Sequence, residues 1–268
     1  MYCLSRYESV KNKIKDLDYT PVGLGNEDYS EGWMRDNTGE NISNKNKFYG
    51  EYTFHYWLWK NELKNIPDNT WIGFCAYRRF WSKNLIKPKE IENLSEEVLK
   101  NVSSDWANYD VILGDEVDIS RIKWIKVIKY GKISFLRNPL IFLKKKRNIR
   151  FHFDMFHGNG NLDKAIELLD DKNRNDFKNY VKNQTSYNQG NMFITKSKKI
   201  IDNYYSDLFS WLKKCEDLFG FDLDGYGKTR IYAFLAERFL PYWFNKYTNV
   251  LKWPILFYDI NKNEIKKN

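Results

Sequence analysis

The run Trp71-Ile72-Gly73-Phe74-Cys75-Ala76-Tyr77-Arg78-Arg79-Phe80-Trp81 constrains this chain more than any other stretch. Its first half is apolar and has the length of a buried strand. Runs that are apolar on both faces belong to parallel sheets covered by helices. Two adjacent arginines between aromatic residues then end it. Neighbouring side chains on an extended backbone point to opposite faces, so a continuing strand separates the two guanidinium groups. A turn instead brings both to the carboxyl end of the strand, where open α/β sheets bind ligands. Guanidinium forks there suit a phosphate or diphosphate. The structural alternative is one arginine paired with an acid and the other solvated.

Further apolar runs of strand length occur at residues 2–4, 20–25, 109–113 and 191–195, and residues 253–258 offer a last one. Helical periodicity marks residues 8–17, 49–61, 90–101, 151–156, 162–169, 176–182, 198–219 and 229–240, with Pro241 expected to end or kink the last. Residues 26–47 are polar and read as a long loop, a length that is functional or disordered when it occurs in a compact domain. Strands and helices alternate through the N-terminal half. The predicted fold is therefore α/β: a central mixed, mostly parallel sheet flanked by helices, with a helical C-terminal half and residues 1–268 as one domain. Hydrophobic residues make up 42% of the chain and aromatic residues 18%, enough to fill such a core, so most of the rings serve packing and some are left for stacking on bases or sugars.

Cys3, Cys75 and Cys215 lie far apart with no CxxC pair, which argues against a zinc site or disulfide framework and fits a reducing compartment. The start of the chain has no apolar leader, and no run approaches the length of a membrane span. The expectation is a cytoplasmic protein, soluble or peripheral on the inner face of the cytoplasmic membrane. The net charge of +9 is uneven: residues 121–150 hold eleven Lys or Arg and no acid. Apolar side chains such as Trp124 interleave with Lys144, Lys145, Lys146 and Arg147. The segment reads either as a surface for an anionic membrane or as a solvated basic loop beside a core strand. Nothing in it matches a nucleic-acid-binding motif, and no nucleic-acid partner is expected.

Several blocks carry a resemblance. Asp36-Asn37-Thr38-Gly39-Glu40-Asn41-Ile42-Ser43, Asn46, Tyr49-Gly50-Glu51-Tyr52-Thr53 and Tyr56-Trp57-Leu58-Trp59-Lys60-Asn61 lead into Gly73-Phe74-Cys75-Ala76-Tyr77-Arg78-Arg79-Phe80. Later come His157 with Leu162-Asp163, Asn191-Met192-Phe193-Ile194, and Phe234-Leu235-Ala236-Glu237-Arg238-Phe239-Leu240. Their order and spacing resemble the DUF4422 family of bacterial surface-polysaccharide proteins, across residues 20–244. The resemblance implies a glycosyltransferase of GT-A type from a capsule or O-antigen system. It also implies a nucleotide-sugar donor, a UDP-sugar first, and a glycan or lipid-linked acceptor. Two departures stand out: Ala76 where the family has His, and Gly50-Glu51-Tyr52-Thr53 where it has Cys-Glu-Leu-Thr. The loss of the histidine keeps open a non-catalytic, membrane-associated binding module of a polysaccharide assembly complex.

Sugar transfer needs charge neutralisation at the leaving diphosphate, a base for the acceptor hydroxyl if the configuration inverts, and a donor held in line. Arg78 and Arg79, with Tyr77, stand where GT-A enzymes place a metal-binding Asp-x-Asp, so arginine charge without a metal cofactor is the expectation. Mn²⁺ or Mg²⁺ held by Asp115 and Asp118 is the fallback, their alternative being an exposed acidic turn. Glu237 is the first candidate base, either poised or ion-paired as structure, and Asp110 and Glu51 are further ones. Asn41, Asn46, Lys60, His157, Asn188 and Asn191 are candidate donor contacts. Their structural alternatives are turn formation for the asparagines, a solvated tip for Lys60 and a hydrogen-bonded core residue for His157.

Overall fold

The computed structural model describes residues 1–120 and 147–265. Where the sequence predicts one domain, the chain clusters into two compact units: Met1–Asp115 with Gly190–Tyr205 and Phe244–Asn268, and Glu116–Gln189 with Ser206–Trp243. The strands, in chain order, are β1 (Tyr2–Ser5), β2 (Thr20–Gly23), β3 (Met34–Arg35), β4 (Ile72–Ala76), β5 (Phe80–Trp81), β6 (Val111–Gly114), β7 (Glu116–Asp118), β8 (Ser186–Asn188), β9 (Phe193–Thr195), β10 (Val250–Trp253), β11 (Ile255–Leu256), β12 (Tyr258–Asp259) and β13 (Glu264–Ile265).

The first unit is built on a seven-stranded sheet in the order β10-β6-β9-β4-β1-β2-β3. β10 runs parallel to β6, and β4, β1, β2 and β3 are mutually parallel. β9 is antiparallel to both β6 and β4, so six strands share one direction and β9 alone opposes them. This is the predicted α/β architecture. Alternation along the strands separates two apolar layers. Cys3, Cys75, Ile112 and Ile194 pack into one cluster with Val10, Ile14, Trp106 and Trp253. Phe74 and Phe193, one residue out of step, join an aromatic group on the other face. Phe74 lies 4.9 Å from Phe193 and 4.3 Å from His55, and Phe244 lies 4.9 Å from Phe193 and 4.7 Å from Tyr204. Each such ring contributes about 1.5–3 kcal/mol on burial. His55 is fully buried, its Nδ1 sits 2.6 Å from the Tyr205 hydroxyl, and burial drives its pKa down to about 3.

The second unit is mostly helical, the helical C-terminal part that the sequence predicts. Ile149–His157 starts at an Asn148 cap whose side chain accepts from Phe151 N at 2.9 Å, and Asp171–Asn183 starts at Asp170, which accepts from Asn173 N at 3.0 Å. Phe177, Trp211, Phe239 and Tyr242 form its core, with Phe177 5.4 Å from Phe239 and 4.9 Å from Tyr242. β7 and β8 pair antiparallel.

Some boundaries differ from expectation. Helix in residues 90–101 is confined to Leu94–Glu97, capped by Asn93. The polar stretch 26–47 contains β3 and the start of the short helix Asn46–Tyr49. The aromatic helix is Tyr52–Trp57 and continues as a π-turn, Leu58–Glu62. The last helix, Ile231–Tyr247, runs through Pro241. The three cysteines are free and buried. Among the described residues no helix is long and apolar enough to cross a membrane.

Candidate functional site

Because six strands of the first unit point the same way, their carboxyl ends form one edge. Arg6, Leu24-Gly25, Asp36, Tyr77 to Arg79, Asp115 and Pro254 follow β1, β2, β3, β4, β6 and β10 there. The oppositely directed β9 begins at the same edge, so Gly190 and Asn191 join it. After β4 the chain turns at once. Ala76 N donates to Arg79 O at 3.2 Å and Arg79 N to Ala76 O at 2.9 Å, leaving Tyr77 and Arg78 as the two residues of the turn. Tyr77 N donates to Leu4 O of β1 at 3.2 Å, and Trp81 Nε1 donates to Phe74 O at 2.9 Å, which fixes the turn to the sheet. Of the two sequence alternatives, the turn is the one realised.

The two arginines differ. Arg78 Nε lies 2.8 Å from Asp259 Oδ2, an ion pair without hydrogen-bond alignment, and its guanidinium sits 4.6 Å from the Tyr77 ring centroid. Arg79 contacts no acid among the described residues; it lies 5.8 Å from the Phe257 ring centroid and against Gly190. A Cβ at Gly190 would stand 3.2 Å from Arg79 Cδ and 3.3 Å from Nη1, and Gly190 has φ +106°, so close approach and backbone both require glycine. Asn191 is buried in the left-handed region at φ +53°, with its Oδ1 unpaired. Tyr77 is half-buried, and its hydroxyl is raised above the ordinary tyrosine range by burial.

The loop–helix candidates serve local structure. Asp36 is fully buried; Oδ1 accepts from Gly25 N at 2.9 Å and Oδ2 from Thr53 Oγ1 at 2.5 Å, and burial raises its pKa. Asn46 Nδ2 donates to Thr53 Oγ1 at 3.0 Å and Gly50 O at 2.9 Å, so this buried amide belongs to the Asp36 network and is not free for a donor. Asn41 Oδ1 accepts from Ser43 N at 3.1 Å, an Asx turn. Lys60 Nζ lies 3.7 Å from Glu40 Oε1 and 3.9 Å from the Trp59 ring centroid, a surface pair. Glu51 immediately precedes the Tyr52–Trp57 helix.

Asp110 stands at the amino end of β6, the opposite edge, and is exposed. Its Oδ2 accepts from Asn249 N at 2.9 Å, which ties it to the start of β10 and away from the arginine turn. Asp115 is at the carboxyl edge but is paired with Lys87. Asp118 Oδ1 accepts from Ser120 N at 2.8 Å. Among the described residues no three His, Cys, Asp or Glu side chains group as metal ligands.

In the second unit Glu237 has the ion pair that the sequence offered as its structural alternative. Its carboxylate, 8% exposed, is ion-paired with Arg238, 1% exposed. The Arg238 guanidinium covers the Tyr187 ring at 3.9 Å. His157 is a core residue: Nδ1 lies 3.1 Å from Gly227 O, the ring stacks on Phe234 at 3.9 Å, and burial takes its pKa down to about 3. Asn188 is buried in β8. Arg147 is 8% exposed, which corrects its reading as a surface cation. Trp124, Lys144, Lys145 and Lys146 lie outside the described residues.

A family match covers residues 7–249: DUF4422, described as a domain of unknown function. The chain belongs to the DUF4422 family. It is also similar in structure to a chain described as a WbbM bifunctional glycosyltransferase in its apo form. The TM-score is 0.67 at 23% identity, over 89% of this chain and 42% of that one. This chain thus spans less than half of that chain's length, and the likeness concerns the fold. A comparison with curated proteins finds no match.

Within this DUF4422 chain, three acids escape the sequence reading: Asp36, Asp259 and Asp154. Asp36 begins one of the blocks that carry the family resemblance, which is its one signal in the sequence. Asp154 lies on the Ile149–His157 helix and accepts from Gly160 N at 3.1 Å. Burial raises its pKa to about 6, against the lowering effect of that hydrogen bond and of Arg150, which is itself paired with Asp163 at 2.8 Å through Nε. A folded-state value above the unfolded carboxylate value means that the native state holds the proton more tightly. The resulting stability is full below the unfolded value and is lost as pH rises through about 6. Asp154→Asn cannot ionise and still accepts from Gly160. It should therefore be more stable than the unaltered chain at pH 7.5 and equal to it at pH 4, read from urea midpoints. Equal midpoints at pH 7.5 would remove the buried-acid account.

Proposed function

We propose that this chain is a glycosyltransferase. It transfers a hexose from a nucleoside diphosphate donor, a UDP-sugar first, to a growing surface polysaccharide or lipid-linked glycan. One observation carries the reading: two adjacent arginines on a tight turn at the carboxyl end of β4, near the centre of the sheet, with Arg79 facing no acid among the described residues. Departure of a nucleoside diphosphate builds negative charge, and fixed guanidinium groups at that point stabilise it without a metal. DUF4422 membership and the fold shared with a protein described as a bifunctional glycosyltransferase support the same reading.

The test is a thermal-shift and sugar-transfer screen of nucleoside diphosphates and their sugars, with Mn²⁺ and with EDTA. Stabilisation by a nucleoside diphosphate and turnover that survives EDTA are expected. Complete loss in EDTA, restored by Mn²⁺, would move the charge-neutralising role to Asp115. A second reading, a non-catalytic assembly module, draws on Ala76 in the place of the family's histidine. Binding without turnover for any donor would favour it.

A lipid-linked acceptor needs an enzyme at the inner face of the membrane. The nine Lys and Arg of residues 121–146 supply the charge for that, at about 1 kcal/mol for each one near an anionic leaflet. Binding to anionic liposomes should fall steeply with salt and weaken when Lys144, Lys145 and Lys146 become Gln. Equal binding to neutral liposomes would remove membrane docking from the proposal.

A further inference from the structure

We propose that Asp259 is a positioning residue for the donor diphosphate: from the C-terminal hairpin it fixes the Arg78 guanidinium in the orientation that presents its two terminal nitrogens to phosphate oxygens. The proposal rests on the reading of the arginine turn as the diphosphate site. It concerns a part of the chain beyond residues 7–249, so the family pattern does not contain it.

The hairpin is β12 paired with β13, Tyr258 opposite Ile265 and Asp259 opposite Glu264. It is anchored where the argument needs it. Ile260 N donates to Tyr77 O, inside the arginine turn, at 3.3 Å. Lys13 Nζ donates to Ile260 O at 2.8 Å, and Ser9 Oγ donates to Asn261 Oδ1 at 3.0 Å, which fastens the hairpin to the first helical segment. Asp259 itself is fully buried, and its Oδ1 accepts from Asn261 N at 3.1 Å, so one oxygen is committed to the hairpin. The other lies 2.8 Å from Arg78 Nε.

The choice of nitrogen matters. A guanidinium offers donors along two edges. With Nε buried beside the Asp259 carboxylate, the outer edge, Nη1 and Nη2, is left for two oxygens of a ligand, the geometry in which arginine binds phosphate in two parallel hydrogen bonds. The Arg78 side chain is 36% exposed, so that edge has room for a ligand, while the carboxylate behind it is 0% exposed and is sheltered from competing cations. A free arginine on a surface turn samples many rotamers, and ordering it on binding is costly. Asp259 removes that cost beforehand, which is preorganisation in the sense that raises affinity without adding a ligand contact.

The experiment is a double-mutant cycle in the full chain, with UDP and GDP as probes and titration calorimetry as the readout. Asp259→Asn keeps the shape and the Oδ1 bond and removes the charge. It should weaken binding about 5–20-fold in the Arg78 background, the scale of the coupling between two neighbouring charges, and have no further effect in an Arg78→Ala background. A merely structural Asp259 would give the same loss in both backgrounds, and that result overturns the proposal. In turnover, the donor KM should rise while kcat holds. Should Asp259→Asn fail to fold, Arg78→Lys replaces it: a single ammonium drawn to Asp259 has no second edge for phosphate, so binding falls to the Arg78→Ala level. Binding by Arg78→Lys at the level of the unaltered chain overturns the proposal. If the unaltered chain binds neither nucleotide, the diphosphate reading has failed and the proposal falls with it. If it binds and Asp259→Asn binds equally well, the diphosphate site stands and only the positioning role falls.

Discussion

Glu237→Gln should destabilise the chain by about 3–5 kcal/mol, the cost of removing one partner from a buried ion pair. Glu237 and Arg238 are 8% and 1% exposed, and their side chains are paired with each other. Arg238 also lies over Tyr187 and has Nη2 3.4 Å from His152 Nδ1, contacts that cannot replace a negative charge. Glutamine keeps the volume of glutamate but leaves the guanidinium buried without a counter-charge. A general base would behave differently: loss of turnover by roughly 10²–10⁴ with stability unchanged. Denaturant unfolding separates the two. The double replacement Glu237→Gln with Arg238→Met removes the stranded cation and should recover part of the loss. An unaltered unfolding midpoint in Glu237→Gln, together with a large fall in rate, would restore the catalytic role.

The sheet was legible because its central strands are apolar on both faces. Residues 72–75, 111–113 and 193–194 are buried whichever way they point, so the run itself betrays the strand. β3 was not legible: Met34 and Arg35 are half-buried and, among the described residues, pair with β2 alone, so nothing in a polar stretch marks them. The helix continues past Pro241 for a definable reason. The proline removes one hydrogen bond and crowds the preceding turn, at about 3 kcal/mol. Leu240, Tyr242, Trp243 and Phe244 around it are all buried, and a few such side chains at about 1.5–3 kcal/mol each outweigh that cost. The division into two units was not legible because the helices Lys198–Phe219 and Ile231–Tyr247 each pass from one unit to the other without a break in pattern.

At the site, the abrupt end of an apolar run in two arginines was enough to find the turn. What each arginine touches was not. Asp259 meets Arg78 from the far end of the chain, and ion-pair choice at that separation is decided by tertiary structure. The structural surroundings of Asn41, Asn46 and His157 were hidden for the opposite reason. Asn41 and Asn46 satisfy backbone and hydroxyl groups within a few residues, and His157 fills a core position against Phe234. Polar residues in a turn-rich stretch satisfy the local backbone before they reach a ligand.

Arg79→Ala should weaken nucleoside diphosphate binding by roughly 1.5–3 kcal/mol, the range for a hydrogen bond to a charged group, or about 10–150-fold in Kd. The asymmetry of the turn makes Arg79 the larger contributor. Arg78 already shares its charge with Asp259, whereas Arg79 faces no acid among the described residues and so brings an uncompensated charge to the edge of the sheet. Its position is set by the absence of a side chain at Gly190, whose Cβ would stand 3.3 Å from Nη1. Gly190→Ala should therefore reproduce part of the Arg79→Ala loss while leaving the arginine in place, because φ +106° and the new methyl group both push against it. Arg79→Lys keeps the charge and loses the fork, so its affinity should fall between the two. Affinity for UDP and GDP that is unchanged in folded Arg79→Ala would mean that the free guanidinium is a solvated surface cation, and the diphosphate would have to be sought elsewhere on the sheet edge.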